Sequence, residues 1–316
     1  MSQPDQRKNR RRRRPIRLVS AFLVLLGLAG YFVVQYESTG GGGPHCTVDA
    51  AGTSHRMSLE QAQHAATISA VGVGKGMSDR AVVIAIATAM QESDLRNLDH
   101  GDRDSLGLFQ QRPSMGWGTP EQIMDPVYSA GIFYDHLAEV RGFEQLPLTV
   151  AAQKVQRSGY PDAYAKHEAE ASLMTEAFTG RAPASLTCSG PAPQRKGDPE
   201  EVRRELVQAF GAGAAPRIGA PGTAGAPGSH GQAVGSGGST EISLAVNGQN
   251  KRRGWELAHW AVAHADELGI QRVSYDSKAW LAGLNRGAWV DKNPGKGGDD
   301  DPRNSGPADV RIFVTR

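Results

Sequence analysis

Cysteine is nearly absent, with two in 316 residues, which excludes a disulfide-dense scaffold and any four-thiolate zinc site. Aromatic residues are scarce at 6% and apolar residues reach only 39%, whereas Gly 39 and Pro 18 are abundant. Some stretch of the chain must therefore be loop or linker. A basic body is also missing. Residues 1–17 carry eight Arg and Lys against Asp5, a local +7, and the other 299 residues sum to −5. Positive charge confined to one short tail excludes a nucleic-acid-binding body, and no nucleic-acid partner is expected. At about 150 residues per domain the length points to two or more parts, and no internal repeat is evident.

The basic tail, residues 1–17, is followed by an uncharged run from Leu18 to Tyr36. As a helix it rises about 28 Å, enough to cross a hydrocarbon core of about 30 Å. Positive charge ahead of the span keeps the N-terminus cytoplasmic and puts the rest outside, predicting a single-pass protein of the cell membrane. The alternative is a cleaved signal peptide, which calls for a shorter apolar core and a small-x-small cleavage site, but Tyr31-Phe-Val-Val34 continues the apolar run. Residues 37–45, with Gly40 to Pro44, read as a stalk. Cys46 follows it and Cys188 lies at the far end of a helical region. In an oxidising exterior these are candidates for a disulfide that clips the ends of a domain, the alternative being two unpaired thiols.

Helix signals dominate residues 46–188. Ser58-Leu-Glu-Gln61 is a capping box opening a helix from Leu59 to about Val71. Ser78 precedes Asp79 to Glu92, whose interior Ala81 to Met90 is apolar on every face and belongs at the centre of a domain. Thr119-Pro-Glu-Gln122 is a second capping box, and Asp125-Pro126 starts a helix with Val127, Ala130, Phe133, Tyr134, Leu137 and Val140 on its apolar side. Thr149 to Arg157 and Asp162 to Phe178 add two more, so 46–188 reads as an all-α domain. Residues 189–240 form a linker with one helix, Asp198 to Phe210, and ten Gly and three Pro between Gly211 and Thr240. Residues 241–316 read as a small α+β domain, which could also begin near 198, with strands at Glu241–Val246, Val273–Tyr275, Trp280, Trp289–Val290 and Val310–Val314 and a helix from Gly254 to Leu268.

Chemistry concentrates after the buried helix. Glu92 sits at its C-terminal end, where the helix dipole disfavours a carboxylate and Met90, Phe109 and Trp117 are near enough to desolvate it. Both effects raise its pKa, as a general acid at neutral pH requires; alone, such a glutamate is an ordinary surface residue. The spacing adds more: Glu92-Ser93, then Gly107-Leu108-Phe109-Gln110 with the Gln eighteen positions after the Glu, then Pro113. Across about residues 57–180 this pattern resembles the soluble lytic transglycosylases of the lysozyme superfamily, which implies a lysozyme-like fold for the all-α domain. The resemblance implies that Glu92 is the single catalytic acid/base and that Ser93, Gly107, Leu108, Phe109 and Gln110 line a sugar cleft. It also implies a Tyr-Asn-x-Gly segment, where this chain has Gln156-Arg157-Ser158-Gly159, and a late tyrosine, for which Tyr164 is the candidate. Trp117 is either a platform for a sugar ring or a packed core indole.

The implied substrate is the peptidoglycan glycan strand, cut at the MurNAc-GlcNAc β-1,4 bond with no cofactor and no metal. Asp94, Asp99, Asp102 and Asp104 could supply a second acid for a hydrolytic muramidase, but read more simply as a polar loop. A third reading is a non-catalytic peptidoglycan-binding or envelope-assembly protein, suggested by Gln156-Arg157. Segments from His230 to Arg311 are faintly similar to a cell-wall module related to zinc D-Ala-D-Ala carboxypeptidases. Gly237, Asp309 and Arg311 stand where that family's remaining ligands would be, and arginine cannot bind zinc. A binding or spacer module is expected there, while His259 and His264 lie about 140° apart on a helix and make no metal pair.

Overall fold

The structure, a computed structural model, describes residues 43–50, 52–159, 162–219, 239–246, 250–292 and 309–315. The expected membrane segment 18–36, the basic tail, most of the Gly/Pro-rich stretch, His230 and Gly237 fall outside these residues. Among the described residues no helix is long and apolar enough to cross a membrane.

The chain from Cys46 to Cys188 is not all-α. Strand β1 (His45–Ala50) pairs antiparallel with β2 (Thr53–Ser58) and with β3 (Leu186–Ser189), giving a sheet of order β2-β1-β3. The reason lies in a period-2 pattern, Cys46, Val48 and Ala50 pointing inward and their neighbours less buried, with Thr47 and Val48 supplying β-branched side chains. Six residues with three inward positions carry far less signal than the helical stripes beside them, so the strand pattern passes unnoticed in the sequence. Cys46 and Cys188 are register partners in the β1–β3 pair and are joined by a disulfide. The lysozyme-like all-α class is therefore replaced by mixed α and β structure.

Helices fill the rest of this region. In α1 (Leu59–Gly74) both halves of the Ser58/Gln61 capping box are formed. Helix α2 (Asp79–Ser93) is buried from Ala81 through Met90, as its all-round apolar surface requires. It packs on α1, α4 (Pro126–Glu139), α5 (Leu148–Gln156) and α6 (Glu168–Phe178). The short α3 (Pro120–Ile123) keeps the Thr119/Gln122 capping box, and Asp125 caps α4 by accepting from the amides of Val127 and Tyr128.

The C-terminal part contains α7 (Pro199–Phe210), α8 (Lys251–Ala263), α9 (Ala265–Leu268) and six strands. These are β4 (Arg217–Ile218), β5 (Ser239–Leu244), β6 (Ile270–Tyr275), β7 (Lys278–Leu281), β8 (Val290–Asp291) and β9 (Val310–Thr315). All pairs are antiparallel, in the order β4-β5-β9-β6-β7-β8, so the last strand runs through the middle of the sheet. Helix α8 lies against β6 and β9 on one side and against α1 and α6 on the other. That explains why Gly254 through Ala263 are all buried, although the sequence reads as amphipathic. Gly254 itself is required: a Cβ there would stand 1.9 Å from Cζ of Tyr275, whose ring covers the helix. Residues Pro44–Arg316 form one compact unit, with α8 shared between the helices and the six-stranded sheet.

Candidate active site

A cleft of about 820 Å³ opens at the C-terminal end of α2. Helix α2 stops because Asp94 and Leu95 both turn into the left-handed region (φ 56° and 57°), sending the chain sideways and leaving Glu92 on the cleft wall. Tyr164, fully buried just ahead of α6, donates its hydroxyl to Glu92 Oε1 at 2.6 Å. Burial pushes the Glu92 carboxyl up from its ordinary range, more than the hydrogen bonds of Tyr164 and Gln156 pull it down. Burial, aided by the neighbouring carboxylate, also raises the Tyr164 phenol, so that hydroxyl stays protonated and keeps its proton to donate to Glu92.

The segment Gly107–Gln110 is held by a short bridge between Leu106 and Gln111 and by the Gly107 amide, which donates to Leu98 O at 2.7 Å. Gly107 has φ 75°, and a Cβ there would approach Ile123 O to 2.6 Å, so only glycine lets this loop close on α3. Ser93 Oγ donates to Leu108 O at 2.8 Å and to Ala89 O at 3.1 Å, tying the loop to α2. Gln156 Nε2, from the end of α5, donates to Phe109 O at 2.7 Å and completes the wall from the other side.

Of the residues singled out in the sequence, Glu92, Gln110, Trp117 and Gln156 line the cleft. Ser93, Gly107, Leu108, Phe109 and Tyr164 stand behind them; Leu108 and Phe109 are fully buried, with Phe109 stacked on Phe133 at 4.7 Å. Trp117 is half-buried, its indole tilted against His136 at 4.6 Å and its carbonyl accepting from Tyr128 at 3.2 Å. Among the loop acids, Asp102 lines the cleft and is almost wholly exposed. Asp104 is bound to Arg112 Nε at 2.7 Å and to the Ser114 amide at 2.8 Å, contacts that hold its carboxyl well below the usual range. Asp99 is outside the cleft and pairs with His100.

His136 and Glu139 also line the cleft, one turn apart on α4. From the sequence His136 reads as an exposed helix residue without a partner and Glu139 carries no site signal; in the structure His136 packs on Trp117 and lies 4.0 Å from Glu139, beside the Phe133, Leu137 and Val140 stripe. In the C-terminal part, Asp309 accepts from Ser243 Oγ at 2.9 Å, and Arg311 lies 3.5 Å from Glu241. Trp255, Trp260 and Trp280 are buried, and Trp289 donates to Leu186 O at 2.8 Å. Among the described residues no group of three His, Cys, Asp or Glu is arranged to hold a metal ion.

A family model, VldE, C-terminal domain, matches residues 194–302. This segment includes α7 and α8 and lies outside the stretch from Glu92 to Tyr164 that builds the cleft. No curated protein matches the chain.

Proposed function

We propose that the chain is a membrane-tethered peptidoglycan lytic transglycosylase with Glu92 as its single acid/base. The carrying observation is the pairing of a half-buried glutamate of raised pKa with a fully buried tyrosine hydroxyl, at the wall of a cleft large enough for sugar rings. Tyr164 donates to Oε1, so the transferable proton belongs on Oε2. Glu92 gives that proton to the oxygen between muramyl C1 and the GlcNAc 4-carbon, the C1–O bond breaks, and the GlcNAc unit leaves as an alcohol. The resulting carboxylate takes the proton from the muramyl 6-hydroxyl as its oxygen attacks C1, closing a 1,6-anhydro ring. The substrate's N-acetyl group stabilises the positive charge at C1, so one carboxylate suffices.

The uncharged run 18–36 with basic residues ahead of it supports a single-pass cell-membrane location with the cleft outside, facing its substrate. The Cys46–Cys188 disulfide suits an oxidising exterior. A non-catalytic wall-binding protein is the second reading, favoured by Gln156-Arg157 standing where the resemblance implies Tyr-Asn, with Gln156 Nε2 donating to the Phe109 carbonyl. Mass spectrometry of peptidoglycan incubated with the full chain and with Glu92→Gln separates them. Anhydro-muropeptides are expected from the wild type, falling at least about 100-fold in the variant. Reducing ends would instead make it a muramidase, with Asp102 as the second acid, and retention on the wall without products would make it a binding protein.

A further inference from the structure

Most charges on the cleft wall have a partner beside them, Glu139 lying 4.0 Å from His136. Arg112 is held by Asp104 and Ser114, and Arg103 lies 3.9 Å from Asp102. Lys154 and Arg157 also line the cleft; both are exposed, and neither has an ion pair among the described residues. They are three positions apart, Lys154 in the last turn of α5 and Arg157 at its C-cap. The backbone presents Arg157 at a cost: its φ of 52° and ψ of 38° put it in the left-handed region, which arginine disfavours and asparagine tolerates. Its amide nevertheless closes the helix on Gln153 O at 2.9 Å, and Gln153 Nε2 holds the following turn through Ser158 O at 2.8 Å. A strained residue that aims a free cation into a cleft is the kind of feature function retains.

Hydroxyl and N-acetyl groups of a neutral glycan would leave both cations without a counter-charge. The muramyl unit differs from GlcNAc by a lactyl ether, whose carboxyl is either free or linked to a peptide that bears carboxylates of its own. Resting on the transglycosylase reading above, we propose that Lys154 and Arg157 form a subsite for a carboxylate carried on the lactyl side of the muramyl residue. It would select peptidoglycan over chitin-like strands through charge-assisted hydrogen bonds.

The test is calorimetric titration of the full chain, carrying Glu92→Gln to prevent turnover, with and without Lys154→Gln and Arg157→Asn. Asparagine suits the left-handed backbone and glutamine suits an exposed helix, so both substitutions preserve the fold. Three ligands are compared: a neutral chitotetraose, a peptide-free GlcNAc-MurNAc tetrasaccharide, and the same tetrasaccharide with its stem peptides. The expected result is about tenfold weaker binding of a muramyl ligand, largely reproduced by raising the salt, with chitotetraose unchanged. Loss on the peptide-free ligand assigns the lactyl carboxylate, and loss confined to the peptide-bearing one assigns the stem. Equal loss on chitotetraose, or no loss on either muramyl ligand, overturns the subsite. If none of the three binds and the Glu92 parent yields no anhydro products, the transglycosylase reading fails and the subsite with it. If anhydro products do appear but affinities are unaltered, only the subsite fails.

Discussion

At Glu92 the burial that raises the carboxyl is set against stability. Desolvation raises its carboxyl above the ordinary glutamate value, so over the pH range between the two values the folded chain holds a proton that the unfolded chain has released. The native state then binds more protons, and stability falls as pH rises through that window, staying lower above it. Glu92→Gln removes this dependence while keeping an oxygen to accept from Tyr164. The variant should melt about 2 °C above wild type at pH 8 and at the same temperature near pH 4, by thermal unfolding at both pH values. A difference that does not vary with pH would place Glu92 at an ordinary pKa and remove the case for it as an acid. Gly107 shows the other residue-scale constraint, since its place in the sequence motif coincides with a φ of 75° that no side chain fits.

Helix α8 is where packing of elements produces a chemical consequence. Its His259 donates from Nδ1 to Ala177 O of α6 at 2.8 Å, and His264, which caps it, donates from Nδ1 to Trp260 O and accepts from Thr67 Oγ1 of α1 at 3.0 Å. Burial lowers His259 to about 4 and His264 to about 3. Both are neutral in the folded chain where the unfolded chain takes up protons near pH 6.5, so the unfolded state binds more and stability declines as pH falls from 6.5 towards 4. In urea unfolding, the wild-type loss between pH 7 and pH 5 should exceed that of His259→Phe by about 2 kcal/mol, although the variant starts lower for want of its bond to Ala177. Parallel losses would mean that His259 is not what couples α8 to pH. Elements such as α1, α3 and α4 are legible from the sequence because their caps are local patterns of a few residues. The sequence could not reveal that α8 is covered on two sides, because that depends on α6 and β9, which lie far away along the chain. The cleft is legible at Glu92 and Gln110, which one motif spacing links, at Gln156, which stands in that motif's third segment, and at Trp117 between its two glycines. It is opaque at His136 and Glu139, which reach the cleft only through the packing of α4.

For the molecule as a whole, the first described strand and the strand after α6 are neighbours, and the disulfide makes that closure covalent across 142 residues. This strand pairing is what an all-α reading of 46–188 misses: its inward residues alternate in short runs, and its partners lie at opposite ends of the region. Strand β3 in turn touches α8, and Trp289 reaches back to Leu186 O in β3 at 2.8 Å, so the cross-link sits where the helices and the six-stranded sheet meet. Loop closure over that length restricts the unfolded chain by about 5 kcal/mol in the chain-entropy model. Breaking it should therefore affect more than the small sheet. Reduction, or a Cys46→Ala and Cys188→Ala pair, should lower the urea midpoint of the full chain by an amount equivalent to about 2–5 kcal/mol. Tryptophan fluorescence, which reports on the buried Trp255, Trp260 and Trp280 of the C-terminal part, should shift together with the far-ultraviolet helical signal, because α8 belongs to both layers. If the fluorescence midpoint holds while the helical signal moves, the two layers unfold separately and α8 does not couple them.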